Sequence, residues 1–167
     1  IKTITDSTHF IMGDVDGADV SATATGTNTL TFSECQGDYN IAIGSNALDA
    51  TTTGSANVAI GYQAGTAITT GIENVLIGYQ AGNAVLGGDQ NIAIGREALK
   101  NEDAGDGNVA IGYQALKVQN TDSSNNVAVG YQAALALNGG TDSVYVGYLA
   151  GGVGVITGDN NVVVGKG

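Results

Sequence analysis

One five-residue motif returns eight times in phase, and this repetition limits the fold more than any other feature of the chain. Asn-[Val/Ile]-x-[Ile/Val]-Gly stands at Asn40–Gly44, Asn57–Gly61, Asn74–Gly78, Asn91–Gly95, Asn108–Gly112, Asn126–Gly130 and Asn161–Gly165. An eighth copy, Ser143–Gly147, carries Ser in place of Asn, and successive terminal glycines are 17 or 18 residues apart. This period is too short for the two-helix units of common helical solenoids, which need about 33 residues or more. The motif core, as in Val58-Ala59-Ile60, is β-branched, alternating and closed by glycine, which predicts a short strand ending in a turn. One strand and one return arm per period make a coil of an all-β, parallel β-solenoid. About eight coils stacked at about 4.8 Å give a rod roughly 34–40 Å tall. The constant Asn40, Asn57, Asn74, Asn91, Asn108, Asn126 and Asn161 suit corners, because Asn tolerates left-handed backbone, and their stacked amides can bond from coil to coil. The two 18-residue intervals are expected to hold their extra residue in the variable arm.

Side chains alternate along a strand, so each copy has two faces. The second and fourth motif positions are Val or Ile in every copy. The middle position reads Ala42, Ala59, Leu76, Ala93, Ala110, Ala128, Tyr145 and Val163, which is also apolar. A strand with one wet face should alternate apolar with polar. Both faces here read as dry: one lines the coil, and the other is expected to meet another copy of the chain. Each coil also carries only three or four large aliphatics for seventeen ordered residues. An obligate oligomer is the expectation.

Residues 1–39 fall outside the repeat and are expected to form an N-terminal cap, or a shoulder against an adjacent fibre segment, for the repeat domain at 40–167. The segment holds an apolar cluster, Phe10-Ile11-Met12, and an acidic stretch from Asp14 to Asp19 that lacks the spacing of an EF-hand loop. From Ala22 to Thr31, threonines alternate with other residues, which predicts a period-2 strand with a threonine face. Ice binding is set aside, since it would need threonines at one place in every coil. The chain begins at Ile1 with no initiator Met and no signal-peptide pattern, so it is expected to be a processed product or a segment of something longer.

Composition excludes several functions. Five Lys and Arg against sixteen Asp and Glu give a net charge of −11, which disfavours nucleic acid and anionic lipid as partners. No apolar run approaches the roughly 18–20 residues that span a bilayer, so no membrane insertion is expected in this segment. The single cysteine, Cys35, excludes an internal disulfide and a cysteine zinc cluster, and reads as a small buried residue at a strand end. His9, the one histidine, has no catalytic partner in sight. Asp38, Asp89, Asp106 and Asp159 each stand two residues before a repeat Asn, where a carboxylate accepts backbone bonds in a turn; stacked Asp89 and Asp106 sharing a cation is the alternative. The glycine-rich stretch Gly151–Val155 lacks the aspartate of calcium-binding repeats. No phosphate loop, zinc motif or nucleophile elbow is present. A non-enzyme is expected, without catalytic residues, metal or cofactor.

The residue after each glycine carries the best claim to function. Tyr62, Tyr79, Tyr113, Tyr131 and Tyr148 should form a ladder along the rod, interrupted by Arg96, with Gln63, Gln80, Gln114 and Gln132 beside it. Aromatic rings with neighbouring amides suit a glycan groove; coil-to-coil stacking or packing on a neighbouring subunit is the other reading.

The copies Asn57-Val58-Ala59-Ile60-Gly61-Tyr62-Gln63-Ala64 and Asn108-Val109-Ala110-Ile111-Gly112-Tyr113-Gln114-Ala115 resemble the head repeats of trimeric autotransporter adhesins of the YadA type. They resemble still more closely the Ala-Ile-Gly-Tyr-Gln-Ala-Leu repeats of phage tail-fibre proteins. The resemblance covers residues 40–167. It implies a left-handed parallel β-roll assembled as a homotrimer, with the middle motif residues or their neighbours at the subunit contact. The period here is longer than the usual adhesin coil and lacks the Ser that often follows Asn there, so no binding residue is carried over. The expected function is a structural segment of a homotrimeric extracellular or virion fibre that projects or presents a host-attachment surface, with a host-surface glycan or protein as receptor. The alternative is the head of a bacterial surface adhesin. A hexapeptide-type acyltransferase fits worst: Ile60–Gly65 matches one hexad in three, and the repeats lack the histidine such enzymes carry at the coil edge.

Overall fold

The computed structural model describes residues 19–25, 29–35, 37–101, 105–119, 123–152 and 154–167. The fold is all-β among these residues, a parallel β-solenoid of about seven turns. The repeat motif supplies one three-residue strand per coil: β3 (Ile41–Ile43), β4 (Val58–Ile60), β5 (Val75–Ile77), β6 (Ile92–Ile94), β7 (Val109–Ile111), β9 (Val127–Val129), β11 (Val144–Val146) and β12 (Val162–Val164). Each pairs in parallel with the same motif positions of the next, Ala59 opposite Leu76 and Leu76 opposite Ala93, so one continuous sheet runs along the stack. Two short strands of the return arm, β8 (Val118–Gln119) and β10 (Ala136–Leu137), pair in a second sheet. The offset between neighbouring coils is still 17 at the Asn101–Val118 bridge and becomes 18 where Asp106 N donates to Ser124 Oγ. The added residue of that interval therefore lies in the return arm.

At the N-terminal end, β1 (Asp19–Thr25) runs parallel to β3 with Ala22 opposite Ile43, and β2 (Thr29–Cys35) pairs antiparallel with β1. The threonine run expected as one strand is thus split between two antiparallel strands, with Thr23 opposite Thr31 and Thr25 opposite Thr29. Alternation alone cannot locate a chain reversal when the pattern resumes in phase beyond it. Cys35 ends β2 opposite Asp19. The expectations for His9, for Phe10–Met12 and for Asp14 to Gly17 lie outside the described residues.

The middle motif residue points into the coil. Ala59, Leu76, Ala93, Ala110, Ala128 and Tyr145 are fully buried, with Ala64, Ile68, Ala81, Val85, Leu99, Leu116 and Leu137 completing the core from the turn and return arm. These middle residues are therefore not at a subunit contact, which corrects one of the two placements that the resemblance implies. The flanking Val and Ile point outward. Ile41, Ile43, Ile60, Ile94, Ile111 and Val146 are among the exposed large hydrophobics, and Val58, Val75, Ile92 and Val109 are half-buried.

Two glycine positions explain the tight rise. The glycine ending each strand has φ between 133° and 138°, a region that favours glycine, and a Cβ at Gly78 would lie 2.5 Å from the Gly95 carbonyl oxygen one coil on. Gly54, Gly71 and Gly88, three residues before the repeat Asn, meet the next coil equally closely, at 2.5 to 2.6 Å.

The repeat Asn does not take the left-handed backbone expected of it. The residue before it does: Ala56, Glu73, Gln90 and Asn125 have φ of 58° or 59°. That kink turns Asn57, Asn74, Asn91, Asn108 and Asn126 inward, where they are fully buried. Each amide is held on several sides. Asn74 Nδ2 donates to Asn57 Oδ1 at 2.9 Å and to Gly88 O at 2.9 Å, while Asn74 Oδ1 accepts from Asn91 N at 2.9 Å. Burying a polar amide is costly unless it is bonded, and here the partners come from two neighbouring coils. Asn40 starts this file and Asn161 continues it past Ser143, whose Oγ accepts from Asn161 N at 3.0 Å.

Candidate functional site

The strand-ending glycine aims the next side chain out of the coil. Because every coil repeats that geometry, Tyr62, Tyr79, Tyr113, Tyr131 and Tyr148 stand in one file at the surface, each between 37% and 51% exposed. Tyr62 stacks on Tyr79 with centroids 5.3 Å apart, Tyr113 on Tyr131 at 5.1 Å and Tyr131 on Tyr148 at 5.2 Å, with ring planes within 10° to 19° of parallel. Stacked in this way the rings cover one another's faces and present edges and hydroxyls to solvent. Arg96 fills the gap in the file with its guanidinium 5.1 Å from the Tyr79 centroid, and Lys166 lies 6.0 Å from that of Tyr148. A cation over an aromatic face is favourable, so the file continues through both substitutions.

Beside it runs a file of amides, each at left-handed φ. Gln80 Nε2 donates to Gln63 Oε1 at 2.7 Å, and Gln132 Nε2 to Gln114 Oε1 at 2.7 Å. Between these pairs the register is occupied by Glu97. Its carboxylate is 2.8 Å from Lys117 Nζ and 3.7 Å from Lys100 Nζ, and accepts from Gln114 Nε2 at 2.8 Å. The Lys117 hydrogen bond, then that of Gln114, then the charges of Lys100 and Lys117 outweigh the opposing effect of burial. They lower the Glu97 pKa from 4.5 to about 2.

The sequence shows Arg96 in the tyrosine register. Glu97 in the glutamine register, and the fact that Lys100 and Lys117 are one period apart and so share a register, were equally legible and were missed. The tyrosine file and the amide file sit side by side on one edge of the stack. The Asn file is on the inside, away from them.

The aspartates before the repeat Asn bond along the stack. Asp89 Oδ1 accepts from Ile72 N at 2.9 Å, Asp106 Oδ1 from Asp89 N at 2.8 Å and Asp159 Oδ1 from Thr141 N at 2.9 Å. Asp38 contributes its backbone N–H, to Ser55 Oγ at 3.1 Å. Among the described residues no group of three His, Cys, Asp or Glu is placed to hold a metal ion. No helix among them is long and apolar enough to cross a membrane. In comparison with known proteins, the chain matches no family model, no curated protein and no solved structure.

Proposed function

We propose that this chain is a structural segment of a homotrimeric fibre of the phage tail-fibre kind, coiled left-handed, carried on a virion or otherwise outside the cell, that projects or presents a host-attachment surface. The observation that carries the reading is the pair of Val and Ile files on the outward face of the continuous sheet, Val58, Val75, Ile92 and Val109 in one and Ile60, Ile77, Ile94 and Ile111 in the other. Solvent-facing aliphatic stripes of this length mark an interaction surface. The stripe repeats identically from coil to coil, so a copy of the same chain, rotated about an axis along the stack, meets it in register at every level, and a closed ring leaves no stripe exposed. Coil-to-coil bonding through backbone, Asn and Gln supports a stiff spacer. Three equivalent outer edges would turn weak contacts into avidity.

The substitution pair Val109→Asp and Ile111→Asp tests this by light scattering. The wild-type chain is expected at three times its own mass and the double variant below it, while Tyr113→Ala retains the wild-type mass. A folded wild-type monomer, or a double variant of unchanged mass, overturns the reading.

A further inference from the structure

The chain is strongly acidic, yet its cations are gathered. Of the five Lys and Arg, three stand on two adjacent coils of the stack: Arg96 and Lys100 on one and Lys117 on the next. Lys100 and Lys117 are committed to Glu97, whose side chain is turned onto them and nearly buried. Arg96 is not. Among the described residues it has no carboxylate within ion-pair distance, and its contact is the ring of Tyr79. Backbone bonds fix its level: Glu97 N donates to Tyr79 O at 2.8 Å, and Gln114 N to Arg96 O at 2.9 Å, so the guanidinium lies between the Tyr79 and Tyr113 rungs. The tyrosine file thus offers hydroxyls and ring edges, with one free guanidinium at its centre. Ring edges carry the positive end of the aromatic quadrupole, which favours oxygen-rich and anionic groups over apolar ones. Guanidinium binds carboxylate or phosphate through two parallel hydrogen bonds. Neighbouring tyrosine rings lie 5.1 to 5.3 Å apart, close to the length of one pyranose unit.

We infer that the Tyr79–Arg96–Tyr113 stretch of the file is a binding site for an acidic saccharide, with its anionic group on Arg96 and its hydroxyls along the tyrosine edges. The inference deepens the fibre reading by naming the ligand class the rod presents. A neutral saccharide lacks the ion pair, and a bare anion lacks the flanking hydroxyl contacts. The acidic groups elsewhere on the chain repel an anionic polymer, so its contact falls where the file carries a cation, and Arg96, unlike Lys166 at the end of the file, has a tyrosine rung on either side.

Saturation-transfer NMR on the assembled protein tests this with trigalacturonate, maltotriose and inorganic phosphate as probes. Trigalacturonate is expected to bind at least tenfold more tightly than maltotriose, and equimolar phosphate not to displace it. The substitution Arg96→Tyr, which restores the residue found at the neighbouring levels, should weaken binding about tenfold, the loss of one charge-assisted contact, with the thermal transition unchanged. Equal binding of maltotriose, displacement by phosphate, no binding, or an unaltered Arg96→Tyr variant overturns the site. The mass of the same sample separates the two ideas: a trimer that ignores trigalacturonate sinks the site alone, and a monomer that binds it sinks the trimer alone.

Discussion

Leu76 occupies the space that a side chain at Gly82 would need: a Cβ built on Gly82 would lie 2.6 Å from Leu76 Cδ2. The two positions are six residues apart, one in the strand and one in the turn, and the same trade recurs along the stack. In three coils Ala in the strand goes with Leu in the turn, Ala42 with Leu48, Ala93 with Leu99 and Ala110 with Leu116, and Tyr145 is matched by Gly151, whereas Ala59 and Ala128 go with Gly65 and Ala134. Leu76 also reaches into the preceding coil, where a Cβ at Gly65 would be 2.8 Å from its Cδ1. Interiors pack to near-crystalline density, so at the Leu76 and Ala93 levels the same space is filled from the strand in one coil and from the turn in the next. The turn position has left-handed φ whichever residue stands there, 55° at Gly82 and 50° at Leu99.

Gly82→Leu alone should therefore destabilise the fold by about 2–4 kcal/mol through overpacking and left-handed strain. Leu76→Ala alone should cost about 2–5 kcal/mol through the cavity it leaves. The double variant rebuilds the Ala93–Leu99 arrangement and should recover at least about 1 kcal/mol relative to the sum. Urea denaturation of the four chains measures the coupling; strict additivity contradicts a shared layer volume.

Asn74→Ala strands the Gly88 carbonyl and the Asn91 N–H inside the stack, at about 1–3 kcal/mol for each unsatisfied group. Asn74→Ser should cost less, because a hydroxyl at this register already accepts the next coil's amide in Ser143. Equal urea midpoints for the alanine and serine variants would show that the file contributes no bonding of its own.

Gly78→Ala brings a methyl group to within 2.5 Å of a carbonyl oxygen at φ 137°, so the coils must part; a loss above about 3 kcal/mol is expected. Gly152 supplies the comparison: its φ is 74° with nothing within 4 Å of a Cβ, and alanine there should cost about 1 kcal/mol of backbone strain. Thermal melting of both variants distinguishes steric exclusion from the conformational term.

The Glu97 carboxyl has a folded pKa of about 2 against 4.5 for an ordinary glutamate. The unfolded chain therefore takes up the proton first as pH falls, so the stabilisation is complete above pH 4.5 and is lost as pH drops toward 2. Glu97→Gln, which places at this level the residue of its neighbours, should lower stability at neutral pH and flatten the acid decline between those values. Urea midpoints from pH 7 to 2 check both effects; parallel curves would mean that the lysine contacts contribute nothing.

The eight strands, their parallel stacking and the alignment of equivalent residues were legible because a strict period leaves one way to pair them. Which face lies inside was not. Val and Ile look like core and Ala like a contact, but an interior fed by Leu99 or Ile68 from the other arm has room for only a methyl at the strand. The Asn was misread at the level of backbone: the left-handed turn falls one residue earlier, on Ala56 or Glu73, where no residue type is constant enough to announce it. The second glycine file at Gly54, Gly71 and Gly88 was present in phase and needed only to be aligned with the first. In the candidate site, period alone aligned the tyrosines, but that Glu97 turns onto two lysines and leaves Arg96 uncommitted is a matter of side-chain direction.

Sedimentation equilibrium of the native chain, read together with circular dichroism on the same sample, bears most directly on whether the outward Val and Ile files are an intersubunit face. A single folded species at three times the chain mass, with no folded monomer on dilution, is expected. A β-rich monomer that persists at every concentration would show those files to be tolerated in water and would contradict the assembly.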